Sequence, residues 1–172
     1  PFQKEVTLGD DTPSEIEEFC MDVDGSGNDV TAFAGTMFNS GINFCVDWIF
    51  VDFPKIAQPG DNAPARTRED DKRDGTRPYW THVHATNVLE VRSRIVKGRE
   101  VVTYMRIREP AADDKPLQIR ILERIGDVAV WSVWVKVSKP TEKTKWQRID
   151  DGVFSIGEIP LTPFVTGRRK GK

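Results

Sequence analysis

Leu117-Gln118-Ile119-Arg120-Ile121-Leu122-Glu123-Arg124-Ile125-Gly126-Asp127-Val128-Ala129-Val130-Trp131-Ser132-Val133-Trp134-Val135-Lys136-Val137 largely alternates apolar and polar residues on either side of one Gly-Asp pair. A period of two is the signature of a strand with one buried face. Leu117, Ile119, Ile121 and Ile125 fall on one face of the first half, and Ala129, Trp131, Val133, Val135 and Val137 on one face of the second. Gly126-Asp127 suits a two-residue hairpin turn, and the turn sets the register. Ile125 is therefore expected opposite Val128, with Ile119, Ile121, Trp131, Val133 and Val135 facing a core and Trp134 on the other side.

The same period extends outward. Val101, Thr103, Met105 and Ile107 form a further row, preceded by a weaker turn signal at Lys97-Gly98. Downstream, Trp146 to Ile149 suggests a short strand, with Asp151-Gly152 turning into Val153-Phe154. Ile159-Pro160-Leu161-Thr162-Pro163-Phe164-Val165 is expected to be extended, because each proline disfavours helix in the residue before it.

The N-terminal third has a different period. Thr12-Pro13-Ser14-Glu15 reads as a helix start, with Thr12 capping and Glu15 closing a capping box, and the helix runs to about Met21. Asp22 to Asp29 interrupts it. Asn28 or Asp29 then caps a longer helix whose buried stripe is Val30, Phe33, Ala34, Met37, Phe38, Gly41 and Cys45. Trp48 to Phe53 is a nearly all-apolar strand ended by Pro54, expected at the centre of a sheet. Residues 55–78 hold three prolines and 11 charged residues with no apolar period. They are expected to form a long surface loop or a disordered insertion, open to trypsin at Arg66, Arg68 or Arg73. The whole reads as one α+β domain: residues 1–54 are two helices and a central strand, 55–78 the charged loop, 79–166 a mainly antiparallel β-meander, and 167–172 a basic tail.

Composition narrows the functions. The 172 residues include 16 aromatics (9 Phe, 5 Trp, 2 Tyr), which argues against global disorder. With 25 basic and 27 acidic residues, the net charge of -2 supplies no global field for nucleic acid or an anionic membrane. No apolar run approaches a membrane span. The start shows neither an initiator Met nor a signal region, which suggests a processed N-terminus or a piece of a longer protein. Cys20 and Cys45 are expected to be reduced thiols buried as small hydrophobes.

Candidate chemistry is sparse. Asp22, Asp24, Ser26 and Gly27 match the first half of a calcium-binding loop, but the twelfth position is Phe33 where a bidentate Glu is needed. A turn between helices accounts for the segment without a metal. His82 and His84 share a strand face, as two zinc ligands would, yet a third ligand is lacking nearby. A metal-dependent enzyme using them is one alternative, and a protein-binding module presenting the charged loop is another. Asp52 is the only carboxylate placed like a catalytic group, and it has no acid–base partner in the sequence. No catalytic residue, metal or cofactor is therefore expected.

Several short motifs, in order, resemble the portal proteins of tailed bacteriophages. They begin with Asp22-Val23-Asp24-Gly25-Ser26-Gly27 ahead of a helix with Ala32-Phe33-Ala34 that ends at Gly41. Then come Val51-Asp52-Phe53-Pro54, Arg77-Pro78-Tyr79, Val101-Val102-Thr103 after Gly98, Ile107-Arg108-Glu109, and Ile159-Pro160-Leu161-Thr162-Pro163-Phe164. Together they cover most of residues 22–165. The positions carried by the resemblance are Asp22, Asp24, Gly25, Gly41, Asp52, Pro54, Arg77, Pro78, Tyr79, Thr103, Arg108, Glu109, Pro160, Pro163 and Phe164. It implies the wing region of a ring subunit, usually one of twelve, at a capsid vertex. DNA enters and leaves through such a ring, and the packaging motor and head-completion proteins dock on it. The implied location is the virion, assembled in the bacterial cytoplasm. The stem helices that would line the channel are not in this sequence, so no DNA-contacting residue carries over, and the chain alone is expected to be a monomer or weak oligomer. Asn43-Phe44-Cys45-Val46-Asp47 is bulkier than the family's small residues before the strand.

Overall fold

A computed structural model describes residues 5–54, 67–96, 98–109, 116–137 and 145–167. The chain is α+β and stacks in three layers. Helices α1 (Ser14–Met21) and α2 (Val30–Phe44) lie on one face of a three-stranded antiparallel sheet. That sheet has β1 (Val46–Asp52) at its centre, flanked by β2 (Tyr79–Val83) and β8 (Leu161–Val165). Its other face packs on a five-stranded antiparallel meander of β3 (Val88–Val96), β4 (Arg99–Glu109), β5 (Gln118–Ile125), β6 (Val128–Val137) and β7 (Lys145–Phe154).

Alternation along β1 builds both cores. Trp48 and Phe50 point toward the meander, where Phe50 is buried with Val83, Met105, Ile107, Leu122, Ala129 and Ile159. Ile49 points the other way, into a smaller core of Val23, Phe33 and Met37 with Phe19, Trp80 and Phe164. A strand covered on both faces has to be apolar almost throughout, which is how Trp48 to Phe53 reads. The Gly126-Asp127 hairpin pairs Ile125 with Val128, and Gly126 takes the positive φ of 65° that the turn demands.

The structure departs from expectation in six places. Pro13, not Thr12, occupies the helix N-cap, and no side chain caps α1. Asp29 caps α2 as expected, accepting from Ala32 N at 2.7 Å. Cys20 is only half-buried and Cys45 is exposed. Cys45 sits at the C-cap of α2 with φ 64°, where the chain leaves the helix and its side chain leaves the stripe.

Within the charged loop, Arg68–Arg73 forms a short helix, α3. Thr67 Oγ1 accepts from Asp70 N while Asp70 Oδ2 accepts from Thr67 N, a reciprocal cap that periodicity cannot reveal in an all-charged segment. The rest of the expected loop, residues 55–66, and the basic tail from residue 168 lie outside the described residues.

Residues 151–152 are not a turn. β7 runs unbroken to Phe154, with a bulge that leaves Ile149 unpaired between Val133–Asp150 and Trp134–Arg148. A second bulge, at Thr103, puts Val102 rather than Val101 against the core.

The last departure concerns the face of β5. Leu122 pairs with Trp131 and with Met105, so the inward residues of β5 are Gln118, Arg120, Leu122 and Arg124. Ile119 and Ile121 are on the outer face with Ser132 and Trp134. Val133 and Val135 are buried and Trp131 packs on the core, as expected.

Opposite Trp131 stands Gly152, where an added Cβ would meet three indole atoms at 2.8 Å. Gly152→Ala should therefore displace Trp131 and cost about 1–3 kcal/mol by overpacking. Urea unfolding monitored by tryptophan fluorescence measures it, and an unchanged midpoint would mean the indole is not seated on this glycine.

Candidate functional site

Two polar centres lie on opposite faces of the three-stranded sheet. The first fills the gap between the sheets. Asp52 at the end of β1 points toward the meander and pairs across the ladder with Tyr79. Arg120, inward on β5, reaches Asp52 Oδ2 with Nη1 at 3.0 Å and Glu109 Oε1, on neighbouring β4, with Nε at 2.5 Å. The guanidinium also lies over the rings of Phe50 and Trp131, 5.6 and 5.9 Å from their centroids. Planar, weakly hydrated and permanently charged, guanidinium suits this combination of two carboxylates and two aromatic faces. Burial opposes its charge, but Glu109 and Asp52 outweigh burial and raise its pKa. Burial, then the Asp52 charge, pushes the Tyr79 hydroxyl above its ordinary value. Tyr79 is thus held as a neutral phenol.

The second centre faces the helices. Asp47 on β1 is fully buried and accepts from Ala85 N at 2.7 Å, in the 3-10 turn Ala85–Asn87 that follows β2. His82 Nε2 lies 2.9 Å from its other oxygen. Burial alone would raise the pKa of Asp47, yet contacts from Ser40, His82 and Ala85 hold it below the usual carboxylate value. The Ser40 hydroxyl is buried near the carboxylate and forms no hydrogen bond among the described residues. His84 lies 5.8 Å from His82, ring to ring, and bonds Thr86 Oγ1 through Nδ1. The two histidines thus turn to separate partners. Among the described residues no group of three or more His, Cys, Asp and Glu is arranged to hold a metal ion.

The motif positions fall into a few groups. Asp22 bonds Arg77 at 2.7 Å, and Arg77 also donates to the Asp22 carbonyl and lies over Phe19. Asp24 accepts from Ser26 N, Asn28 N and Asn28 Nδ2, closing the turn in which Gly25 takes φ 73°. Burial works against the Asp24 charge, but the Asn28 and Ser26 bonds lower its pKa. This turn is tied to β2, since Trp80 N donates to Val23 O at 2.7 Å.

Asp52, Tyr79 and Glu109 gather around Arg120. Pro54 and Pro78 bracket that end of β1 and β2. Gly41 is packed by Thr166, which donates to its carbonyl, and a Cβ there would meet the threonine at 2.6 Å. The Pro160 carbonyl accepts from Val51 N at 2.9 Å, Pro163 lies opposite Trp48 on an edge strand, and Phe164 joins the helix-side core. Arg108 donates to Thr86 O, and Thr103, at the bulge, to Arg92 O.

Arg120 and Asp47 are the residues that sequence reasoning missed. An arginine alternating with isoleucines reads as the outward side of a strand, so Arg120 left no signal. Asp47 did leave one, as a single carboxylate at the head of an apolar run. No protein-family model matches this chain, and no curated protein matches it.

Removing Arg120 would leave Asp52 and Glu109, each about a quarter exposed, facing one another with no cation between them. Arg120→Ala should cost about 3 kcal/mol, whereas Asp52→Asn, which keeps a polar partner for the guanidinium, should cost less. Chemical denaturation of both variants provides the comparison, and equal small losses would show the pairs to be superficial.

Asp47 predicts an acid limb. Its folded pKa is below its unfolded value of about 3.9, so its contribution is complete above that value and is lost as pH falls through the folded one. Unfolding free energies measured from pH 6 to pH 2 should fall less steeply in Asp47→Asn than in the parent. Parallel curves would mean that Asp47 is not held ionised by the fold.

Proposed function

We propose that the chain is the wing region of a phage portal-type ring subunit, a structural part without catalysis, located in the virion. The observation that carries this reading is that the motif positions quoted for the resemblance act as ties between layers. Asp22 with Arg77 joins the interhelical turn to the entry of β2, and Gly41 with Thr166 joins α2 to the end of β8. Pro160 holds β1, and Asp52 meets Glu109 through Arg120 across the two sheets. Such residues are needed wherever a fixed shape is the product, as in a subunit that must repeat around a ring.

The charged groups also favour a scaffold. Arg120 is shared by two carboxylates, and Asp47 is enclosed by donors, so each is committed to holding backbone or side chains in place. Net charge near zero suits a region outside a DNA channel better than one lining it. In this reading identical subunits, the packaging motor and head-completion proteins are the partners, and DNA passes through the channel of the ring. Among the described residues no helix is long and apolar enough to cross a membrane.

The test is assembly. Protein expressed from the complete natural reading frame should form closed rings, about twelvefold, visible by negative-stain electron microscopy. The 172-residue chain, dilute and at moderate salt, should scatter light with a mass near 19.5 kDa. Persistently monomeric full-frame protein would overturn the proposal.

A further inference from the structure

A cleft of about 280 Å³ lies between α2, the turn that precedes it and the edge strand β2, with Asp24, Asn28, Phe33, Thr36, Trp80 and His82 on its walls. It joins the interhelical turn to the histidine-bearing strand. Trp80 and Phe33 form the apolar wall, their ring centroids 5.6 Å apart and their planes at 60°. Asp24 stands on the turn side, and its described bonds come from Ser26 N, Asn28 N and Asn28 Nδ2, all of them neutral donors. Among the described residues no lysine or arginine borders the cleft.

The remaining polar groups offer lone pairs. Asn28 donates through Nδ2 to Asp24, and the Thr36 hydroxyl donates to Ala32 O at 3.1 Å, so each has an oxygen left to accept. His82 Nε2 faces the fully buried Asp47, an ionised carboxylate that can only accept. That bond keeps a proton on Nε2, and Nδ1 of the neutral ring is then a further acceptor. Acceptors, a carboxylate and aromatic faces together select a planar cation with several N–H donors. The fold makes this combination twice with its own side chains. Arg77 lies over Phe19 and bonds Asp22, and Arg120 lies over Phe50 and Trp131 and bonds Asp52.

We propose that the cleft between α2 and β2 binds a small planar cation of the amidine or guanidine class, stacked on Trp80 and bonded to Asp24. Its volume is close to the lower end of ligand clefts, about 300 Å³, and admits a single ring or a short chain. A free guanidine and the arginine side chain of a peptide carry the same chemistry. The inference does not rest on the portal reading.

Benzamidine is the probe, titrated into the 172-residue chain at low salt and about pH 8, where a free imidazole is neutral. By NMR it should bind saturably at millimolar concentration and shift the resonances of the Trp80 indole N–H and the Asn28 side-chain amide. Benzamide, neutral and of the same shape, and phenyltrimethylammonium, a cation without N–H donors, should each bind at least fivefold more weakly. Asp24→Asn should weaken benzamidine by a similar factor. Should that variant misfold by circular dichroism, Thr36→Arg, which brings a tethered guanidinium to the rim from an exposed helix position, should block binding instead. Ethylguanidinium and a doubly blocked arginine separate the two sources: equal affinities assign the cleft to a free guanidine, and tighter binding of the arginine derivative assigns it to a peptide. Absence of saturable benzamidine binding at millimolar concentration overturns the proposal. So does equal binding of either control compound, or binding indifferent to both cleft variants.

Discussion

The guanidinium of Arg120 sets the spacing of the two sheets. It is a permanent charge on the inward face of a strand, and burying it is tolerable only because Asp52 arrives from one sheet and Glu109 from a neighbouring strand of its own. The bonds have to be made at one distance, so Phe50 and Trp131 close on the guanidinium as flat walls. Trp131 in turn needs the empty volume at Gly152. One charge placement thus propagates from the junction of the sheets to the edge strand β7.

The other face of β1 is organised by a different charge. Asp47 gathers Ser40 from α2, His82 from β2 and the backbone of Ala85, so that the helical layer, the strand and the turn toward the meander meet at a single carboxylate. Two residues before it, Cys45 takes a left-handed conformation at the end of α2, and its carbonyl receives Thr166 N and Gly167 N. The first strand is therefore pinned at its start by backbone and carboxylate bonds and at its end by the Arg120 cluster. Asn43 to Asp47, bulkier than the small residues that the resemblance implies before the strand, is where the helix is stopped and the sheet is attached.

In this fold the polar residues fasten elements together. Asp22, Asp24, Arg77, Asp52 and Glu109 each close a turn or bridge elements distant in sequence.

Hydrophobic period, turn residues and caps are local properties, and they made the α+β order, the Gly126-Asp127 register, the Asp29 cap and the central position of β1 legible from the residues alone. Period two also states which residues of a strand share a face. It does not state which face is inward when both carry large aliphatic groups, as Ile119 and Ile121 do on one side of β5 and Leu122 on the other. That choice fell to tertiary structure, because Arg120 gains its carboxylates and aromatic walls only when β1, β4 and β6 are assembled around it. Bulges at Thr103 and Ile149 are equally invisible locally, since an extra residue is accommodated by its partner strand and not by its own sequence. The helix Arg68–Arg73 escaped detection because its cap is a side-chain exchange within an all-charged segment that has no apolar stripe to announce it.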